Sequence, residues 1–241
     1  MAIKCHKMYQ EFQESHWWFR VRDNLLKDIA NKYWKPNSRV LDFGCNYGSA
    51  VKMLNDLGYS AFGVDVSEYA IEHGRSRGIK NIFVDKEKVF PPESFDVVIS
   101  LDVLEHIEDD KSAFAYVTSL LKPGGIIVVM VPTFMFLWGV QDETAQHFRR
   151  YTLPGLVKVS SQAGNFEIIK KSYFNTFLFL PIAVFRLISR LFNIKSRDSD
   201  NDINNRFLNA IFFQVFDLER KLLRYMNFPF GVSALLILRK M

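Results

Sequence analysis

Apolar positions change their period in a fixed order along the chain. Trp18, Val21, Leu25, Ile29 and Tyr33 recur at steps of three and four, the spacing of one face of a helix. Residues 1–35 therefore read as helical, with Pro36-Asn37 as the stop. Strand-like runs follow at Arg39–Phe43, Ser60–Val64, Asn81–Val84, Phe95–Leu101 and Ile126–Val131, most of them separated by helical segments. The first, fourth and fifth runs are apolar almost throughout, as strands covered on both faces of a parallel sheet must be. This alternation predicts βαβ crossovers and a doubly wound α/β sheet. Pro123-Gly124-Gly125 reads as a turn that launches the fifth strand. A helix near Leu153–Ala163, a strand near Phe166–Tyr173 and a last strand near Ala234–Arg239 complete the pattern.

Between those last two strands lie 57 residues, 174–230, holding 11 of the 23 Phe. They read as an insertion between strands that otherwise pair. In 174–192, Pro181 interrupts the apolar pattern, and Arg186 and Arg190 fall four apart on one side. In 206–226, Phe207, Ile211, Val215, Leu218, Leu222 and Met226 step by four or three, with Leu208, Phe212 and Phe216 beside them. That face is wider than one packed seam requires. The segment carries eight basic and five acidic residues, net +3. A wide apolar face edged by Lys and Arg suits a membrane interface. It equally suits a lid over an apolar acceptor, a homodimer contact, or a subdomain packed on the sheet. Asp198, Asp200, Asn201, Asp202, Asn204 and Asn205 read as a polar loop between two helices, without the glycine and glutamate of a calcium loop. The expected division is a helical cap over 1–37, an α/β core over 38–173, the insertion over 174–231, and a last core strand over 232–241.

Composition removes several classes. In 241 residues, 49% are apolar and 24% charged, enough to fold around a core. No run reaches the ~20 apolar residues of a spanning helix. The opening MAIKCHKMYQEF has no signal-peptide core. Two cysteines, Cys5 and Cys45, build no disulfide framework, so a reducing compartment is the simpler expectation. The expected place is the cytoplasm, with the inner membrane face as a peripheral contact through 174–226 in one reading of the insertion. A formal charge of +5 is too small and dispersed to indicate nucleic acid.

The chemistry concentrates where strands end. Val40-Leu41-Asp42-Phe43-Gly44-Cys45-Asn46-Tyr47-Gly48 runs from a buried strand into a glycine turn ahead of a helix. Glycine allows close backbone approach to a ligand, and a helix start offers free N–H groups. A dinucleotide site needs G-x-G-x-x-G, but Asn46 and Ser49 stand where its second and third glycines belong. No G-x-x-x-x-G-K-[ST] phosphate loop occurs. Asp65 ends the second strand, 21 residues after Gly44, where a carboxylate can hold ribose hydroxyls. Asp85 ends the third strand, and Leu101-Asp102 ends the fourth, followed by Val103-Leu104-Glu105-His106. All four signals lie at carboxyl ends of strands, so one crevice collects them.

VLDFGCNYG, GVDVSEYAIEHGRSRG, FDVVISLDVLEHI and LKPGG, in this order and spacing, resemble the successive motifs of class I S-adenosylmethionine-dependent methyltransferases across residues 38–132. The resemblance implies a Rossmann-like seven-stranded sheet of order 3-2-1-4-5-7-6 with the seventh strand antiparallel. It implies S-adenosylmethionine as cofactor, with Asp42, Gly44, Cys45, Asn46 and Gly48 at its methionyl part and Asp65 with Val66 at the ribose. Asp85 and Lys86 would border the adenine, with Leu101 and Asp102 completing the pocket. Asn46 stands where the family usually has glycine, and Asn is the side chain most tolerant of left-handed backbone.

The flanks, His16-Trp17-Trp18-Phe19 with Arg22 and His147-Phe148-Arg149-Arg150-Tyr151-Thr152, resemble bacterial methyltransferases of surface-polysaccharide and lipid-linked biosynthesis. They are more distantly similar to ubiquinone-pathway O-methyltransferases. Trp17, Trp18 and Phe19 either close over the cofactor or dock a helix on the sheet. Arg22 shares the helical face of Trp18 and reaches for the methionyl carboxylate. His106 falls near the expected methyl group, and His147 is a second candidate base for an acceptor hydroxyl. Arg149 and Arg150 either clamp an anion or lie at the surface. No metal ligands are assigned. The expected activity is methyl transfer to a hydroxyl or other nucleophile of a small-molecule, sugar or lipid-linked acceptor. The competing readings are a nucleotide-dependent oxidoreductase and a non-catalytic membrane- or partner-binding module.

Overall fold

A computed structural model of the protein describes residues 15–86, 89–191 and 206–241. Cys5, the opening stretch and the polar residues from Asp198 to Asn205 lie outside the described residues. The strands are β1 (Arg39–Phe43), β2 (Ser60–Asp65), β3 (Ile82–Val84), β4 (Phe95–Leu101), β5 (Leu121–Pro132), β6 (Phe166–Phe174) and β7 (Ser233–Lys240). They form one sheet of order β3-β2-β1-β4-β5-β7-β6. The first five run parallel, with Leu41 opposite Phe62 and Val98. β7 returns antiparallel between β5 and β6.

The helices are α1 (Trp17–Tyr33), α2 (Ser49–Asp56), α3 (Glu68–Ser76), α4 (Asp110–Ser119), α5 (Val140–Thr144), α6 (Leu153–Ala163), α7 (Phe179–Leu191) and α8 (Arg206–Leu223). Alternate residues of each central strand enter different layers. Val40, Val97, Ile99 and Val128 pack with α1, α2 and α8, while Leu41, Val98, Ile127 and Val129 pack with α4 and α6. Both faces are therefore covered, which explains the nearly unbroken apolar runs. Side chains set several helix starts: Ser67 Oγ accepts from Ala70 N–H at 3.2 Å, and Asp109 Oδ1 accepts from Ser112 N–H at 3.1 Å.

Two local expectations are revised. β5 begins at Leu121, before the Pro-Gly-Gly turn, because Leu121 already pairs with Phe95; the register then jumps to Val97 opposite Ile126, and the turn residues form that irregularity. Pro181 does not interrupt α7. It is the third residue of that helix, in the first turn, where backbone N–H groups have no intrahelical acceptor and proline costs nothing.

Between β6 and β7, α8 packs on α1. Asn209 Oδ1 of α8 accepts from Trp17 N–H at 2.7 Å, and Trp17 meets Phe212 and Phe216 edge to face. Asp28 of α1 pairs with Arg220 and Arg224. Arg186 and Arg190 of α7 hydrogen-bond the carbonyls of Leu137 and Phe136. Buried Glu219 accepts from Thr176 and Phe177 N–H through Oε2 at 2.7 and 2.8 Å. Glu219→Ala strands both donors, so urea unfolding is expected to show a loss of about 2 kcal/mol. Glu219→Gln keeps an acceptor there and loses less. Equal midpoints for wild type and Glu219→Ala would remove this clamp. On the outside, Leu180, Leu191 and Phe207 remain 69–80% exposed.

Candidate active site

The parallel strands β1, β2 and β4 deliver their carboxyl ends to one edge. There the chain leaves β1 through a loop of left-handed residues, Gly44 (φ +80°), Asn46 (φ +49°) and Gly48 (φ +80°). Gly44 and Cys45 N–H both donate to the Val64 carbonyl at 2.9 Å, which ties the loop to the end of β2. A Cβ on Gly44 would lie 2.4 Å from Val103 Cγ2. Asn46 carries the left-handed conformation expected of it.

Asp65 is held in place by backbone. Its Oδ2 accepts from Asn46 N–H at 2.8 Å and its Oδ1 from Ser67 N–H at 2.9 Å. Each oxygen retains a lone pair toward the cavity. Asp85 lies on the same cavity, hydrogen-bonded by Tyr116 Oη at 3.4 Å, and burial raises its pKa.

Arg22 reaches in from α1. Its Nη1 donates to Asp102 Oδ2 at 3.2 Å and its Nη2 to Asp23 Oδ1 at 3.4 Å. Its Nε is buried with no hydrogen-bond partner among the described residues. Burial works against the guanidinium charge, but Asp23 and Asp102 outweigh it and raise the pKa. Asp42, buried beside them, is pushed up to about 7 by desolvation, with Asp65 and Asp23 adding to the effect and Arg22 opposing it.

The cavity is also lined by His106 and His147, whose rings meet edge to face with centroids 4.5 Å apart. His147 Nδ1 lies 2.7 Å from Asp142 Oδ1. The same oxygen accepts from Arg150 Nε at 2.8 Å, and Asp142 Oδ2 accepts from Gly139 N–H at 2.8 Å. Burial favours the protonated acid, yet His147 and Arg150 hold Asp142 at about 2. Burial and the neighbouring His147 push His106 down to about 3.

Arg22, Asp42, Asp65, Asp85, His106 and His147 line one cavity of about 810 Å³. Trp17, Trp18 and Phe19 wall it on one side; Leu178, Ile182 and Phe185, at and before α7, wall it on another. Of the residues the sequence singled out, Trp18, Arg22, Asp42, Gly44, Cys45, Asn46, Asp65, Val66, Asp85, Leu101, Asp102, His106 and His147 all line it. Gly48 and Lys86 do not. Gly48 is the N-cap of α2, and a Cβ there would meet Ile82 Cγ2 at 2.9 Å and Ile79 Cγ2 at 3.1 Å, so its smallness serves packing. Lys86 turns outward and pairs with Glu68. Arg150 also lines the cavity, held on Asp142 and the Thr133 carbonyl, while Arg149 lies off it and pairs with Asp110 at 3.0 Å. Sequence reading passed over Asp142 and Glu105. The only signal was an acid five residues before His147 and another beside His106.

Residues 11–171 match the profile of a family described as a methyltransferase domain. A relative from Mycolicibacterium smegmatis, named a probable S-adenosylmethionine-dependent methyltransferase, is 28% identical over 163 residues, covering 64% of this chain and 61% of that one. A ubiquinone biosynthesis O-methyltransferase from Thiobacillus denitrificans is 28% identical over 133 residues, covering 42% of this chain and 57% of the relative. The matches thus span less than two thirds of either relative. The fold superposes on a crystal structure of an S-adenosylmethionine-dependent methyltransferase from Mesorhizobium loti with a TM-score of 0.58 at 18% identity, over 94% of this chain and 99% of that one.

Proposed function

The chain belongs to the family of class I S-adenosylmethionine-dependent methyltransferases, and on that premise we propose that it methylates a hydroxyl or other nucleophile of a small-molecule, sugar or lipid-linked acceptor. The observation that carries the reading is the pairing, in one cavity, of a buried Arg22 Nε with no partner among the described residues and the backbone-fixed carboxylate of Asp65. The cofactor has a carboxylate, an ammonium group, a ribose diol and an adenine. Arg22 suits the carboxylate, Asp42 the ammonium, Asp65 the diol and Asp85 the adenine amino group. The close approach enforced by Gly44 suits a ligand lying against backbone.

S-adenosylmethionine supplies a methyl group on positive sulfur, which an acceptor lone pair takes in line as the carbon–sulfur bond breaks. The residues of this chain bind, orient and exclude water, and positioning of that kind is worth ~7–11 kcal/mol of a barrier. An oxygen acceptor must also lose its proton, and His106 and His147 form the polar floor on which that hydroxyl would rest. The apolar wall made by Leu178, Ile182 and Phe185 supports an acceptor with a greasy portion, covered by α7. The exposed Leu180, Leu191 and Phe207 support contact with a lipid surface on the outer side. No helix among the described residues is long and apolar enough to cross a membrane. Flotation with anionic liposomes tests that contact: co-migration that Leu180→Asp with Phe207→Asp abolishes supports it, and no co-migration ends it.

Calorimetric titration with S-adenosylhomocysteine and with NAD(P) tests the activity class. The proposal expects the thioether to bind and the dinucleotides not to. Preference for a dinucleotide would favour an oxidoreductase. A pH series tests Asp42. With its pKa at about 7, it is largely protonated at pH 6 and ionised at pH 8. If the ionised form is the one that pairs with the ammonium, affinity rises about tenfold over that interval, and binding near neutral pH releases a proton. A flat profile, with no buffer-dependent heat, would remove Asp42 from the ammonium site.

A further inference from the structure

Glu105 is fully buried, and neither of its carboxylate oxygens has a hydrogen-bond partner among the described residues. A carboxyl group removed from water takes up a proton unless a cation or donors compensate its charge. Burial and Asp102 push Glu105 well above the usual carboxylate range, with Arg150 opposing, and a bound cation would hold it ionised. Ligand atoms of Glu105, His106 and His147 all lie within 4.8 Å of one another, and all three residues line the cavity. The environment prepares both imidazoles for such a role. His147 Nδ1 is engaged by Asp142, which leaves Nε2 as the nitrogen able to face the cluster. His106 is hydrogen-bonded to the Ala145 carbonyl, which leaves its second nitrogen with a lone pair. Ligating histidines are typically fixed by just such a carboxylate or carbonyl on the far nitrogen.

We propose that Glu105, His106 and His147 bind a divalent cation beside the acceptor. Two imidazoles and one carboxylate suit zinc or a later first-row ion better than magnesium or calcium, which prefer oxygen-only shells. Three protein ligands leave at least one coordination position open toward the cavity. Resting on the methyl-transfer reading, the inference narrows the acceptor to one offering an oxygen ligand. A hydroxyl bound there loses its proton to water at the cavity mouth, and the oxygen keeps the lone pair that takes the methyl group. Metal coordination lowers the pKa of a bound O–H into the neutral range. The histidines then act through the cation rather than as free bases. Asp142 is a positioning residue, since it touches only His147 and its other partners.

Untagged protein, stripped with a chelator, is titrated with Co²⁺ while visible d–d absorption and bound metal are followed by equilibrium dialysis. The expected result is one Co²⁺ per chain, displaced by Zn²⁺. Glu105→Gln and His147→Gln should each abolish the bands, and Asp142→Asn should weaken binding by about 10–100-fold. S-adenosylhomocysteine binding, measured on every variant, reports that the fold survives. No uptake by wild type overturns the inference, as does uptake unchanged in Glu105→Gln and His147→Gln. Failure of the thioether to bind wild type overturns the methyl-transfer reading instead, and leaves the cobalt result to stand or fall by itself.

Discussion

Gly44→Ala is expected to weaken S-adenosylhomocysteine binding by about 100-fold or more, with far-ultraviolet dichroism close to wild type. Two penalties add. The residue sits at φ +80°, a conformation that costs an L side chain about 1–2 kcal/mol. The new Cβ would also fall 2.4 Å from Val103 Cγ2 and 2.9 Å from Cγ1, so either Val103 or the loop must move. The loop is what holds Asn46 N–H on Asp65, and its displacement releases the acid from its fixed direction. The double variant Gly44→Ala with Val103→Ala separates the causes. Removing the two methyl groups should restore part of the affinity and leave the backbone penalty. Wild-type affinity in the single variant would show that the cavity tolerates a side chain where backbone approach was thought necessary.

Asp65→Ala should cost a comparable amount, about 100-fold or ~2.7 kcal/mol, measured by the same titration. The variant removes the acceptor for the ribose hydroxyls and strands the N–H groups of Asn46 and Ser67, which now share the carboxylate. Asp65→Asn should fall between, because an amide offers one acceptor oxygen where the carboxylate offers two. Loss confined to stability, with affinity intact, would make Asp65 a loop anchor only.

Legibility in the sequence followed locality. β1 and β4 were readable to the residue, because their runs are apolar on both faces and bounded by polar turns. Asp65 and Asp85 were readable because strand ends set their positions. The direction of Lys86 was not readable, since adjacency to Asp85 does not set it, and its ammonium pairs with Glu68 at the surface. The left-handed turn expected at Gly48 is present, and the space its missing side chain leaves lies against Ile79 and Ile82. The Asp142–His147–Arg150 group has no periodic signature. It forms because α5 ends in a turn whose Gln146 is left-handed (φ +58°), which folds His147 back onto Asp142. That the Glu105 carboxyl and Arg22 Nε have no hydrogen-bond partner among the described residues follows from burial by distant segments and has no sequence counterpart.

A structure with S-adenosylhomocysteine at saturating concentration is the most direct test. The ribose hydroxyls are expected on Asp65, the amino-acid carboxylate on Arg22 and the sulfur facing His106 and His147. A cavity left empty under those conditions, or a nucleoside bound away from Asp65, would contradict the assignment of this cavity to the cofactor.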